Sequence, residues 1–252
     1  MTDFASKSRI IVAAIAGVTA VTCVTILTGA YTRTRRAGEL IRVTGSAHRT
    51  IRSDYIVWEC TVTEESPTVS LAFNHLHSDI ERTVTYLTKK GIASNEVWQM
   101  PVSTTELHPP VTQPNVSIDS SVRRPVSGYR LTQSVQVRSK AVEHVDEIAR
   151  TSTELMSSGI PIESASPEFL YTGLDKLKLD LLKEASVDAR NKAEGIAQSC
   201  GSHIRELRYA RSGVTQVEAL SATDGVTDSG ANDTTSIDKK VTVVVRADFA
   251  VQ

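Results

Sequence analysis

The sequence predicts an α+β protein, with an N-terminal transmembrane helix followed by a domain of largely antiparallel sheets that carries about three helices on one face. Three observations lead there. Residues 10–31 contain no charged side chain. Short runs of alternating hydrophobicity follow one another directly, and strands joined by only a few residues pair antiparallel. Longer runs with helical periodicity stand between them, each closed by a glycine, which places helices against a sheet rather than strands alone.

The chain has 252 residues, net charge −1, 40% hydrophobic and 23% charged residues, values that exclude wholesale disorder. Residues 37–252 carry 23 bases against 28 acids. A mildly acidic body gives no electrostatic reason to bind nucleic acid, and no nucleic-acid partner is expected.

Residues 10–31 come first. As a helix, 22 residues at ~1.5 Å each span the ~30 Å hydrocarbon core of a bilayer, which makes the lipid bilayer the expected partner of this segment. Lys7 and Arg9 precede the run and Arg33, Arg35 and Arg36 follow it. It exceeds the ~7–15 residues of a signal-peptide core, which favours an uncleaved anchor, although Thr28-Gly29-Ala30 is a tolerable cleavage site. Counting bases places the Arg33 side in the cytoplasm, whereas the short N-terminal tail resembles an export signal. Thr19, Thr22, Thr25 and Thr28 recur every third residue, suited either to helix association or to bonding back onto their own helix.

The body, residues 37–252, reads as one domain. Strands are expected at Leu40–Arg49 and Asp54–Glu65, the second with Ile56, Trp58, Cys60 and Val62 on one face. Ser66-Pro67 reads as a helix start with Ser66 as N-cap. Val69, Phe73, Leu76, Ile80, Val84 and Leu87 then line a helix that Gly91 stops. Glu96–Glu106 reads as a strand, the proline-rich 108–125 as a surface loop, and Gly128–Ser139 as a strand. A helix at Val142–Ser158 ends at Gly159, and Ile162–Tyr171 is strand-like. The longest helix, Leu174–Cys200, carries Leu177, Leu181, Ala185, Ala189, Ala193, Ile196 and Cys200 as a stripe and stops at Gly201. Ile204–Arg211 is a strand, 213–237 an acidic, mobile loop, and Lys239–Val251 a closing strand with valine at alternate positions.

No catalytic or cofactor motif stands out: there is no GxSxG, HExxH, Walker loop, CxxC or GxGxxG. No enzyme activity and no cofactor are expected. Tyr86 and Lys90 have a dehydrogenase-like spacing without the glycine loop that chemistry needs, and read as the solvated end of a helix. His75 and His77 lie ~200° apart around a helix and cannot share a metal. Asp224, Asp228, Asp233 and Asp238 lack the spacing of a calcium loop and read as solvated. Cys60 and Cys200 read either as buried thiols or as a disulfide pair.

Certain residues, in order, resemble the SIMPL-domain (YggE-like) family of bacterial envelope proteins. They are Val43-Thr44-Gly45-Ser46, Asp54, Asn74, Gly91-Ile92, Gly128-Tyr129, and Ala185-x-x-Asp188-Ala189-x-x-Lys192-Ala193-Glu194 followed by Cys200-Gly201. The resemblance covers about residues 39–251. It implies an envelope protein that forms ring-like homo-oligomers, linked to stress responses, its body facing the periplasm or cell exterior from a bacterial inner membrane. The residues matched for structure or assembly are Gly45, Gly91, Ala185, Asp188, Ala189, Lys192, Ala193 and Gly201; Asp188 and Lys192 sit at i,i+4 with the acid first, as a helical ion pair requires. The expected function is a membrane-tethered, self-assembling protein of structural, scaffold or pore-like role. The alternative is a periplasmic ligand-binding or chaperone-like module.

Overall fold

The computed structural model describes residues 17, 19, 21–28, 39–109, 125–221 and 230–252. Most of the expected membrane span and the loop core at 110–124 lie outside them. Residues 21–28 are helical and exposed. Thr22 and Thr25 there donate to the carbonyls of Thr19 and Thr22 at 3.0 and 2.9 Å, so these hydroxyls bond back onto their own helix. Among the described residues, no helix is long and apolar enough to cross a membrane.

The body is α+β. Its elements are β1 (Leu40–Arg52), β2 (Tyr55–Ser66), α1 (Val69–Lys89), β3 (Val97–Gln99), β4 (Ser103–Leu107), β5 (Gly128–Ser139), α2 (Val142–Thr151), α3 (Glu154–Ser157), β6 (Ile162–Ser164), β7 (Glu168–Leu170), α4 (Leu174–Ser199), β8 (Ile204–Ser212), β9 (Gln216–Ala219) and β10 (Asp238–Val251). They form two compact units. One comprises Met1–His48, Leu177–Thr215 and Thr242–Gln252; the other comprises Arg49–Lys176 and Gln216–Val241.

The second unit is organised by β2 and β5, which pair antiparallel from Ile56↔Ser139 to Ser66↔Tyr129. β3 and β4 extend the sheet along β5, and β6 and β7 along β2, all antiparallel. The alternation seen in β2 is the core face: Ile56, Trp58, Cys60 and Val62 are almost fully buried, beside Leu131, Val135 and Val137 of β5. α1 and α2 cover this face with Ala72, Leu76, Ile80, Leu87, Val142, Val145 and Ile148. Trp58 satisfies its indole N–H on Ser164 Oγ at 3.1 Å.

In the first unit, the small stripe of α4 meets β10. Ala189 and Ala193 pack with Ala247 and Phe249, flanked by Ile41, Val43 and Ile204. β8 pairs antiparallel with β10, with two register shifts between Asp248 and Val251.

Several expectations are corrected. The N-cap of α1 is Thr68, whose Oγ1 accepts from Leu71 N, because Ser66 is held in the ladder opposite Tyr129. Val69 and Phe73 are exposed, since α1 turns Ala72 rather than Phe73 toward the sheet, and Phe73 stacks on His77 instead. Pro101 cannot donate to a ladder and stands between β3 and β4; Pro167 likewise stands between β6 and β7. The helix expected over 142–158 is two helices, and at the break Thr151 and Ser152 turn their hydroxyls back onto the carbonyls of Glu147 and Ala149. Ile196 and Cys200 are exposed, and Ala197 ends the stripe. β1 and β2 are joined directly but belong to different sheets. The stretch 213–237 contains β9, with Val217 buried.

The register of α1 gives a direct test. Leu76→Ala is expected to cost about 2–5 kcal/mol in urea unfolding, and Phe73→Ala less than about 0.5 kcal/mol. The reverse order would mean that Val69 and Phe73 face the core.

Candidate functional site

Most of the residues matched for structure or assembly lie in the first unit, where β1 passes α4 at Thr44-Gly45-Ser46. Gly45 has no side chain, and the helix backbone occupies the space one would need. A Cβ built on Gly45 would fall 2.7 Å from Ala189 Cβ and closer still to Ala185 O and Ala189 N. The helix contributes its smallest residues at this level, with Ala185, Ala189 and Ala193 fully buried.

This proximity brings polar groups of helix and strand into reach. Asp188 Oδ2 accepts the backbone N–H of Ser46 at 2.8 Å and pairs with Lys192 Nζ at 2.7 Å. Lys192 Nζ also donates to Thr44 O at 3.2 Å. The i,i+4 pair therefore grips the strand on both sides of Gly45. The Lys192 ammonium, then the Ser46 N–H, hold the Asp188 carboxyl below its usual range. Beside the grip lies an open groove of about 630 Å³ lined by Arg42, Val43, Thr44, Lys192, Ile196 and Cys200.

The two remaining matched residues stop helices. Gly91 and Gly201 have φ of 97° and 73°, the left-handed region that ends a helix and that a side chain disfavours. Gly91 belongs to the second unit and takes no part in the grip. Next to it, His144 Nε2 lies 2.8 Å from Lys90 O.

Candidates for chemistry find structural explanations. Tyr86 Oη and Lys90 Nζ both donate to Glu154 Oε2 at 3.2 Å, tying α1 to α3. His75 and His77 are exposed, near Glu64 and Glu81 respectively. Cys60 is a free, buried thiol whose pKa burial pushes up to about 12, far from a nucleophile's; Cys200 is free and exposed. Asp54 accepts from Thr172 N and Oγ1 at 2.7 and 2.6 Å, fixing the turn after β7. Among the described residues, no group of three or more His, Cys, Asp or Glu is placed to hold a metal.

The SIMPL family model, described as a protein of unknown function (DUF541), matches residues 41–249. The chain belongs to the SIMPL family. No curated protein matches it. In this SIMPL protein the match takes in Gly45, Asp188 and Lys192, so the strand–helix grip lies inside the family domain.

One buried polar cluster escaped the sequence reading. Lys239 is 2% exposed, donating to Phe169 O at 2.8 Å and to Asp233 O. Asp233 is not solvated as expected: Oδ1 takes the N–H and Oγ1 of Thr235, and Oδ2 is buried. The signal was the phase of β10, since Lys239 stands two residues before Val241, on the inward side of the alternation.

Stability should follow the charge of Asp188. A carboxyl whose folded pKa is depressed stabilises the fold above its unfolded value, 3.8, and loses that contribution as pH falls through the lower folded value. Asp188→Asn is therefore expected to melt below wild type at neutral pH, with the gap closing under acid. Thermal melts of both proteins across that range check it, and a gap independent of pH would show that the carboxylate charge does not act in the grip.

Proposed function

We propose that this SIMPL protein is a membrane-tethered, self-assembling envelope protein with a structural or scaffold role, its body outside the cytoplasm. The observation that carries the assembly reading is β8. Eight of its nine residues are exposed, and only Ile204 is half-buried. It stands at one end of the order β1-β10-β8. Leu207 and Tyr209 are each more than half exposed on it, among Arg205, Glu206, Arg208 and Arg211, and tyrosine and arginine are enriched at interfaces. Its register shifts and charges guard the strand against indiscriminate edge pairing, while Leu207 and Tyr209 stay exposed for a specific contact.

The tether reading rests on residues 10–31 and on the exposed apolar side chains of the described helical part: Val21, Val24, Ile26 and Leu27 are each more than 60% exposed, as lipid-facing residues are. An anchor confines subunits to a plane and raises their effective concentration, so weak side-to-side contacts suffice to close a ring. The polar loops at 108–126 and 213–237 offer sites for further contacts, apart from β9, which is part of the fold.

One experiment tests both halves. Membranes carrying the full-length protein are washed with alkaline carbonate, extracted with mild detergent, and weighed by size-exclusion with light scattering. The expected result is retention through the wash and a protein mass several times 27.3 kDa, falling when Leu207 and Tyr209 are both changed to Glu. Release into the wash contradicts the tether. A single-chain mass contradicts assembly, and an unchanged mass in the double variant contradicts the role of β8.

A further inference from the structure

Each unit has an open sheet face, and the two faces carry opposite charge. In the first unit, Ala210 and Ser212 of β8 stand opposite Ala247 and Val245 of β10, on the side where Ala247 packs against α4. Tyr209 and Arg211 therefore share the other side with their partners Asp248 and Arg246. Tyr209, Arg211 and Arg246 are exposed there. Asp248 pairs with Arg42 at 3.4 Å, and Glu206 pairs with Arg205 and Arg208. Arg211 and Arg246 face each other directly in the ladder, and among the described residues neither is paired with an acid. Like charges directly opposite are destabilising, so this pair calls for an acid from outside.

The second unit supplies such acids. α1 and α2 cover the side of its sheet that carries Trp58, Val62 and Val135, so the alternate residues of β2 and β5 point away from those helices. There Thr61 bonds to Ser134 at 2.9 Å and Thr63 to Thr132 at 3.2 Å, a low floor without bulky side chains. Around it stand Glu59, Glu163 opposite Thr61, and Glu168 opposite Val57. Glu163 and Glu168 are exposed, and among the described residues no base pairs with any of the three. Glu65 on the same face is neutralised by Arg130 at 2.6 Å, and Arg138 lies over the Trp98 ring. The paired strands of this face thus carry an excess of two negative charges, and Arg211 with Arg246 carries two positive ones.

We propose that the Arg211–Arg246 face of one copy docks on the Glu59–Glu163–Glu168 face of a second copy, sheet against sheet. The proposal rests on the assembly reading and names the surface that receives β8. Guanidinium forks and carboxylates form the strongest class of hydrogen bonds between side chains, and here each cancels a charge left open in its own copy. Tyr209 and Trp98, 54% and 42% exposed, add the aromatic area that such contacts use. The two faces are different surfaces of one chain, so the contact is head-to-tail, and a copy bound through one face still offers the other.

The test weighs the full-length protein in mild detergent at low salt by size-exclusion with light scattering. Arg211→Glu with Arg246→Glu makes both faces acidic, and Glu163→Arg with Glu168→Arg makes both basic. Each double variant is expected to fall to the 27.3 kDa protein mass of a single chain. Mixing the two is expected to restore the wild-type mass, because every acidic face then meets a basic one, which a misfolded variant could not do. An unchanged mass in either double variant would overturn the proposal. A loss that the mixture does not restore would assign the arginines to a different acidic partner and overturn it as well. If Leu207→Glu with Tyr209→Glu lowers the mass and the charge reversals do not, this docking fails while the assembly reading stands. A single-chain mass in the wild type contradicts both.

Discussion

A strand and a helix can lie backbone against backbone only where no side chain stands between them. In the first unit Gly45 supplies that gap on β1, and Ala185 and Ala189 supply the matching small surface on α4. The rest of the grip depends on this approach. Asp188 reaches the Ser46 N–H, and Lys192 reaches both Asp188 and Thr44 O, because the helix axis is close enough for short polar contacts across it. The family-like residues thus have an architectural explanation, in which a missing side chain sets a distance that two charged ones then exploit.

The second unit solves the packing problem differently. Its sheet is built on one long antiparallel pair, β2 with β5, and large residues fill the space beneath α1 and α2. Trp58, Leu76 and Leu131 take the place that alanines hold under α4. Polar groups inside this unit stay paired where they stabilise the frame, as Trp58 does with Ser164. Among the described residues, Asp233 Oδ2 beside Lys239 and Ser53 Oγ are buried in it without a hydrogen-bond partner.

Strong periodicity made much of this legible in the sequence. The face of β2, the bounds of β5, the alanines of α4 and the helix-ending glycines all follow from local pattern, and the structure has them there. What escaped was decided by tertiary competition. Which side of α1 turns inward depends on how near the sheet it lies, so Ala72 displaced Phe73. The separation of β1 from β2 was invisible because a two-residue link between strands looks the same whether they pair or part. The Asp188–Lys192 pair was visible, but its grip on Thr44 and Ser46, more than 140 residues away, was not. Lys239 sat in plain phase with the inward valines of β10, and a lysine there is the one residue whose pattern and chemistry disagree.

The same substitution at two glycines tests the central constraint. Gly195 lies within α4 with nothing within 4 Å of a built Cβ, so Gly195→Ala should stabilise the protein by about 0.5–1 kcal/mol through helix propensity alone. Gly45→Ala forces backbone apart and should destabilise it by about 1–3 kcal/mol or more. Paired chemical-denaturation curves with opposite shifts are the predicted result. A Gly45→Ala protein as stable as wild type would contradict the account, because helix and strand would then not be in backbone contact at all.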